Sequence, residues 1–175
     1  MSSFLIISIM ADDRPGLIET LSSIITEHHG NWLESRMAHL AGKFAGIVRI
    51  QISDKQQDPL KQSLQALQAQ GWNINIEQDA PQVEKTEQTT QVQLNIVGND
   101  RPGIVKEVAQ ALACQGVNVL ELATHFESAA MSAEALFKTQ AKIQLPKQLD
   151  VDDVRDQLEK LSNDLMVEVQ ILNDE

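Results

Sequence analysis

Apolar and polar residues alternate at Leu5, Ile7 and Ile9, and again at Val92, Leu94 and Ile96. A period of two predicts a strand with one buried face in each place. The period then lengthens. Leu17, Ile18, Leu21, Ile24 and Ile25 keep the spacing of a single helix face, and Ile104, Val105, Val108, Ala111 and Leu112 repeat it position for position. Gly30 and Gly116 suit the left-handed residue that ends a helix. A second strand is predicted from near Asn31 and from near Asn118. In the first copy Ala41-Gly42-Lys43 makes a tight turn into Phe44, Gly46, Val48, Ile50 and Ile52; the counterpart strand is Phe137, Thr139, Ala141, Ile143 and Leu145. Leu60, Leu64 and Leu67 mark a second helix, matched by Val154, Leu158 and Leu161. Trp72, Ile74 and Ile76 form one closing strand, and Val167, Val169 and Ile171 the other.

These parallels are an internal repeat. Ile9-Met-Ala-Asp-Asp-Arg-Pro-Gly-Leu-Ile recurs as Ile96-Val-Gly-Asn-Asp-Arg-Pro-Gly-Ile-Val, an offset of 87 positions from Ile9 to Ile96. Asn31, Leu33 and Glu34 fall on Asn118, Leu120 and Glu121 at the same offset. From Phe44 to Phe137 the offset is 93, so the second copy carries a six-residue insertion in the preceding hairpin, within the segment from Glu127 to Leu136 that holds Ala129, Ala130, Met131, Ala133 and Ala135. Such a loop is either a partner contact or a plain hairpin extension. The order strand, helix, strand, strand, helix, strand, twice, predicts an α+β chain of two tandem ferredoxin-like βαββαβ domains, each an antiparallel four-stranded sheet with both helices on one face. The expected domains are 1–79 and 91–175. Residues 80–90, polar and containing Pro81, form the linker.

Charge narrows the function. Lys and Arg total 14 against 25 Asp and Glu, a net charge of −11. Nucleic-acid binding needs a basic face, and Arg14, Arg36, Arg49, Arg101 and Arg155 are scattered, so no direct contact with nucleic acid is expected. The single cysteine, Cys114, allows no intrachain disulfide and reads as a small residue on a helix face in a reducing cytoplasm. The opening Met-Ser-Ser-Phe-Leu-Ile-Ile-Ser-Ile-Met reads as a strand rather than a signal peptide, and no run approaches the ~20 apolar residues of a membrane span.

One motif carries chemistry. Asp13-Arg14-Pro15-Gly16 and Asp100-Arg101-Pro102-Gly103 stand where the first strand of each copy hands over to its first helix. Proline suits the first helical position, the acidic residue can bond free helix amides, and glycine lets a ligand or strand approach the backbone. Free amides at a helix start favour a carboxylate or phosphate. A bare strand-to-helix turn with no ligand accounts for the same four residues.

The strand, the Asp-Arg-Pro-Gly turn, the helix and the asparagine opening the next strand together resemble the ACT domain, an amino-acid-sensing module of metabolic enzymes and regulators. The resemblance spans nearly the whole chain. It implies ligand sites where two such domains meet, with Asp13, Arg14, Pro15, Gly16 and Asn31, and Asp100, Arg101, Pro102, Gly103 and Asn118, as contacts. The asparagine would meet the amino-acid head group and loop amides its carboxylate. The copies differ nearby: Asp12 stands against Asn99, Ala11 against Gly98, and Trp32 against Val119.

No residues suggest catalysis. His28 and His29, His39 and His125 lack metal-ligand spacing, Asp152-Asp153 reads as the first turn of a helix, and the glutamines from Gln62 to Gln70 as a solvated helix face. No catalytic residue, metal or cofactor is expected. In length and tandem layout the chain resembles stand-alone regulators of the ACT family. That implies a cytoplasmic repressor responding to an amino acid, glycine foremost, through contact with a DNA-binding transcriptional activator. The alternatives are a ligand-free oligomerisation module and a regulatory subunit of an amino-acid metabolic enzyme. A homo-oligomer fits any of the three.

Overall fold

In the computed structural model, residues 2–79, 89–128 and 135–172 are described. The chain divides into two units, residues 1–84 and 85–175. The first runs β1 (Ser2–Asp12), α1 (Leu17–Glu27), β2 (Asn31–Leu40), β3 (Lys43–Ser53), α2 (Asp54–Ala66) with a 3₁₀ turn at Leu67–Gln70, then β4 (Asn73–Gln78). The second runs β5 (Thr89–Asn99), α3 (Ile104–Cys114), β6 (Asn118–Ser128), β7 (Ala135–Pro146), α4 (Val151–Glu159), β8 (Met166–Ile171). Each forms a four-stranded antiparallel sheet, in the order β2-β3-β1-β4 and β6-β7-β5-β8. This is the doubled βαββαβ architecture read from the repeat. The alanine-rich insertion of the second copy falls mainly on 129–134, outside the described residues.

Each unit has its own core. Leu5, Ile7, Leu21, Val48, Ile50, Leu60 and Leu64 are fully buried in the first, as are Val92, Leu94, Ile96, Ile143, Val154 and Leu158 in the second. Those positions alternate on the strands and recur at helical spacing because both helices cover one sheet face. Three predicted core positions are exposed. Ile18 and Val105 follow the first buried residue of their helices by one step, about 100° around the axis, and turn sideways to half-exposed positions. Ile171 closes an edge strand and is also exposed.

The helix ends correct another expectation. Gly116 is left-handed (φ 72°), but Gly30 is not; in α1 the left-handed residue is His29 (φ 55°). An offset of 87 places His29, not Gly30, opposite Gly116. Gly30 is needed for room, since a Cβ there would lie 2.9 Å from Ile25 Cγ2 and 3.0 Å from its carbonyl oxygen. In both helices the amide two residues past the cap, Gly30 or Val117, donates back to Ile25 or Leu112, closing the ends alike. The β2–β3 turn takes positive φ at Ala41 and Gly42, the two-residue geometry that matches strand twist.

The repeated Asn, Leu and Glu residues also acquire a structural role. Asn31 pairs with Gln51 and Trp32 with Ile50, but Glu34 pairs with Arg49, leaving Leu33 as a bulge. Val119, Leu120 and Glu121 repeat that bulge against β7. One extra residue reverses which face the following side chains take. Hence the partly buried positions of β2 are Trp32 before the bulge and Ser35 and Met37 after it, a break in alternation that hid this strand's pattern.

Candidate ligand-binding loops

The loop before each first helix is a Pro-Gly turn. Helix α1 starts at Leu17, with Gly16 as its N-cap at φ 91°, ψ 2°; α3 starts at Ile104, with Gly103 at φ 91°, ψ −4°. Those angles belong to the third residue of a type II turn, where glycine is favoured and proline precedes it. In the second unit the amide of Ile104 donates to the Arg101 carbonyl at 3.3 Å, closing the turn. Pro15 and Pro102 therefore stand before the cap rather than at the first helical position. The glycine is required for its backbone: a Cβ on Gly16 or Gly103 would meet nothing nearer than 3.8 Å, yet the positive φ would strain it.

Neither cap makes a side-chain hydrogen bond to the helix, so Asp13 and Asp100 do not fill the capping role considered for them. The cap carbonyls instead accept the first helical bonds, from Thr20 at 2.9 Å and Glu107 at 3.0 Å. The first amides of both helices thus carry no capping side chain, and the partial positive charge of a helix start lies at each loop. Asp13 and Asp100 donate through their backbones, to Gly42 at 2.9 Å and Ala135 at 2.8 Å. This ties each loop to the β2–β3 or β6–β7 end of its sheet.

Asn31 and Asn118 stand elsewhere. They open β2 and β6, opposite Gln51 and Gln144, at the far end from those hairpins. A strand advances ~3.3 Å per residue, so nine steps from Asn31 to Leu40 separate asparagine and loop by roughly 30 Å within one unit. No amino acid spans that distance. The five motif residues of one copy do not form a site by themselves.

The two loops differ in charge. Arg101 grips Glu107 with both guanidinium arms, at 2.7 and 2.6 Å. That hydrogen-bonded pairing holds the Glu107 carboxyl below the usual glutamate range and raises the arginine above its own. The position opposite Glu107 in the first copy is Thr20, whose hydroxyl donates to the Gly16 carbonyl at 2.9 Å. Arg14 is exposed and makes no hydrogen bond or ion pair among the described residues; it only helps hold Asp12 ionised, after the stronger effect of Lys43. Asp13 faces His39 at 3.4 Å. In the second copy His39 is replaced by Phe126 and Lys43 by Leu136. Asn99 donates its amide to Asp164 at 3.2 Å, and that carboxyl is held low chiefly by Ser162 and then by this amide.

The remaining sequence candidates take plain positions. Asp152 and Asp153 lie in the first turn of α4, which Asp150 caps by accepting from the Asp152 amide at 2.9 Å. Gln62, Gln65, Gln68 and Gln70 are exposed, His28 meets Ser63 at 2.8 Å, and Cys114 ends α3 exposed. No described helix is long and apolar enough to cross a membrane.

Each unit thus carries the same strand-to-helix loop on the same βαββαβ frame. The chain belongs to the ACT domain family, whose model matches residues 3–77 and again 90–171. It is an ACT domain regulatory protein of tandem type. A crystal structure of an unknown protein from Galdieria sulphuraria superposes with a TM-score of 0.85 at 24% identity, covering 99% of this chain and 100% of that one. A protein provisionally named a glycine cleavage system transcriptional repressor superposes with a TM-score of 0.73 at 16% identity, covering 99% of each chain. No curated protein matches the sequence.

Proposed function

We propose that the protein is an amino-acid-responsive transcriptional regulator, a glycine cleavage system repressor that acts by contact with a DNA-binding activator. The observation that carries the reading is the pair of Pro-Gly turns that start a helix without a side-chain cap, one beside Arg14, which has no partner among the described residues. Amides and guanidinium together suit a small carboxylate. Because loop and asparagine lie at opposite ends of a unit, the asparagine that completes a site comes from outside the unit that supplies the loop. The end-to-end likeness to the provisionally named repressor is consistent with this role, and the net charge of −11 suits contact with a protein rather than with DNA.

Ligand and partner are then coupled through their differing affinities for two states of the protein. Calorimetric titration with glycine and the other common amino acids tests the reading, using wild type and the double variant Asn31→Ala, Asn118→Ala. Saturable binding that the variant loses is the expected result. Binding of no amino acid would leave a ligand-free interaction module, a role favoured by one observation: Val119, Leu120, Leu122 and Phe126 are exposed apolar residues on the edge strand β6.

A further inference from the structure

The sheet of the first unit has a face that its helices do not cover. Leu5, Ile7 and Val48 point toward the helices and are fully buried. Phe4, Ile6, Met10 and Ile47 alternate with them along β1 and β3 and so lie on the other side. Of these, Phe4, Met10 and Ile47 are 37%, 45% and 53% exposed. The repeat shows that the fold does not require this. Position for position, Phe4, Ile6 and Ile47 become Gln91, Gln93 and Gln140 in the second unit, and Arg36 becomes Ala123. The second copy presents amides where the first presents an apolar strip, and contiguous apolar surface of that kind marks a contact.

The register of the strands makes this face complementary to itself. After the bulge, Glu34 and Arg36 lie on the same face, opposite Arg49 and Ile47. Phe4 and Met10 are centred on Ile7, and Glu34 and Arg36 on Ser35. Ile7 and Ser35 both pair with Val48, from its two sides. One two-fold axis laid across the strands at that row therefore sets Phe4 against Met10, and Glu34 against Arg36, of a second copy. An isologous contact requires such matching. Sulfur beside an aromatic ring and carboxylate beside guanidinium are both favourable. The central charge is already answered within the chain: Arg49 donates to Asp79 at 2.7 Å and to Glu34 at 3.4 Å, and lies over the Phe4 ring, 5.1 Å from its centre. The area also suffices. Strands of 11, 10, 11 and 6 residues, at ~3.3 Å per residue and ~4.8 Å between strands, make a face of roughly 600 Å². Two stacked faces bury about 1,200 Å², the lower end of the range for specific interfaces.

We infer that two copies of this chain form a two-fold dimer in which the open sheet faces of their first units stack as in a β-sandwich, with Phe4 against Met10 and Glu34 against Arg36 across the contact. A second copy is the occupant this face fits, because the face itself supplies both members of each pair. The contact uses neither the Asp-Arg-Pro-Gly turns nor the asparagines. Its success or failure is therefore separate from that of the amino-acid reading.

Sedimentation velocity of the full-length protein reads the association, at about 100 μM chain and in about 150 mM salt to screen the net charge. Wild type is expected to be dimeric. Ile47→Lys sets an ammonium against Arg49 of the other copy and is expected to raise the dimer dissociation constant at least tenfold. Gln140→Lys, the same added charge at the matching place on the second unit, is expected to leave it within twofold. Glu34→Arg and Arg36→Glu each oppose like charges in a dimer with themselves, and each alone is expected to be monomeric. Mixed together they are expected to associate, because each then supplies the charge that the other lacks. Glu34, Arg36, Ile47 and Gln140 are all exposed, so the variants are expected to fold, with circular dichroism as the check. A monomeric wild type, a dimer that survives Ile47→Lys, equal losses from Ile47→Lys and Gln140→Lys, or a mixture no more associated than its separate components would overturn the proposal.

Discussion

Gly16 and Gly103 hold a conformation that an L side chain adopts only under strain, with φ 91° at both caps. Replacing either by alanine places a Cβ in open space but in the wrong backbone region. Each change is expected to cost about 1–2 kcal/mol in urea unfolding, from backbone strain alone. An alanine variant as stable as wild type would mean the turn relaxes to another type. The reverse is expected at Thr139, whose buried hydroxyl has no partner among the described residues. Thr139→Val keeps the shape and removes the polar atom, and is expected to raise stability by about 1 kcal/mol in the ligand-free protein. A loss of stability would show that the hydroxyl has a partner in solution.

Among the elements, α3 and its loop carry a pH dependence that α1 lacks. Glu107 is held below its ordinary value of 4.5 by the hydrogen bonds of Arg101. A carboxyl with a depressed folded pKa contributes stability that is fully present above its unfolded pKa and lost as pH falls through the folded one. The pair should therefore support the second unit above about pH 4.5 and release it progressively below that. Glu107→Gln, compared with wild type in urea unfolding from pH 7 to pH 3, is expected to flatten this acid limb; identical slopes would show the pair contributes nothing measurable. The first unit has Thr20 at that position; its lowered carboxyls are instead Asp12, held by Lys43, and Asp54, held by Ser3. The edge strands behave alike in both units, since the bulges at Leu33 and Leu120 reverse the inward face at matching places.

For the whole molecule the two copies differ in the charge of their loops. Arg101 is neutralised by Glu107, whereas Arg14 has no partner among the described residues. On the proposed function, Arg14→Ala should weaken glycine at least tenfold in calorimetry, while Arg101→Ala should leave its affinity within twofold. Equal losses would mean both loops serve, and no loss from either would remove arginine from the site. Glycine's few heavy atoms set a ceiling of about −1.5 kcal/mol each, roughly −7.5 kcal/mol in total. Its dissociation constant is then no tighter than roughly micromolar.

The repeat, the alternating strands and the helix faces were legible from residues alone, because a period of two or 3.6 reports directly which side of an element is buried. The Asp-Arg-Pro-Gly turns were legible as strand-to-helix turns for a similar reason: proline and glycine restrict backbone angles locally. Three things were decided only in three dimensions. The bulge at Leu33 depends on cross-strand pairing, so the inward faces of Trp32 and Met37 do not follow from spacing along β2. The distance between Asn31 and Asp13 depends on which end of the sheet each joins, a property of topology rather than of sequence separation. The space between α3 and the sheet of the second unit is lined by Val108, Val119, Thr124 and Thr139 from three different elements, each unremarkable in its own segment. Local chemistry determines angles and periods; volumes left empty and charges left unpaired are set by residues that meet only when the chain has folded.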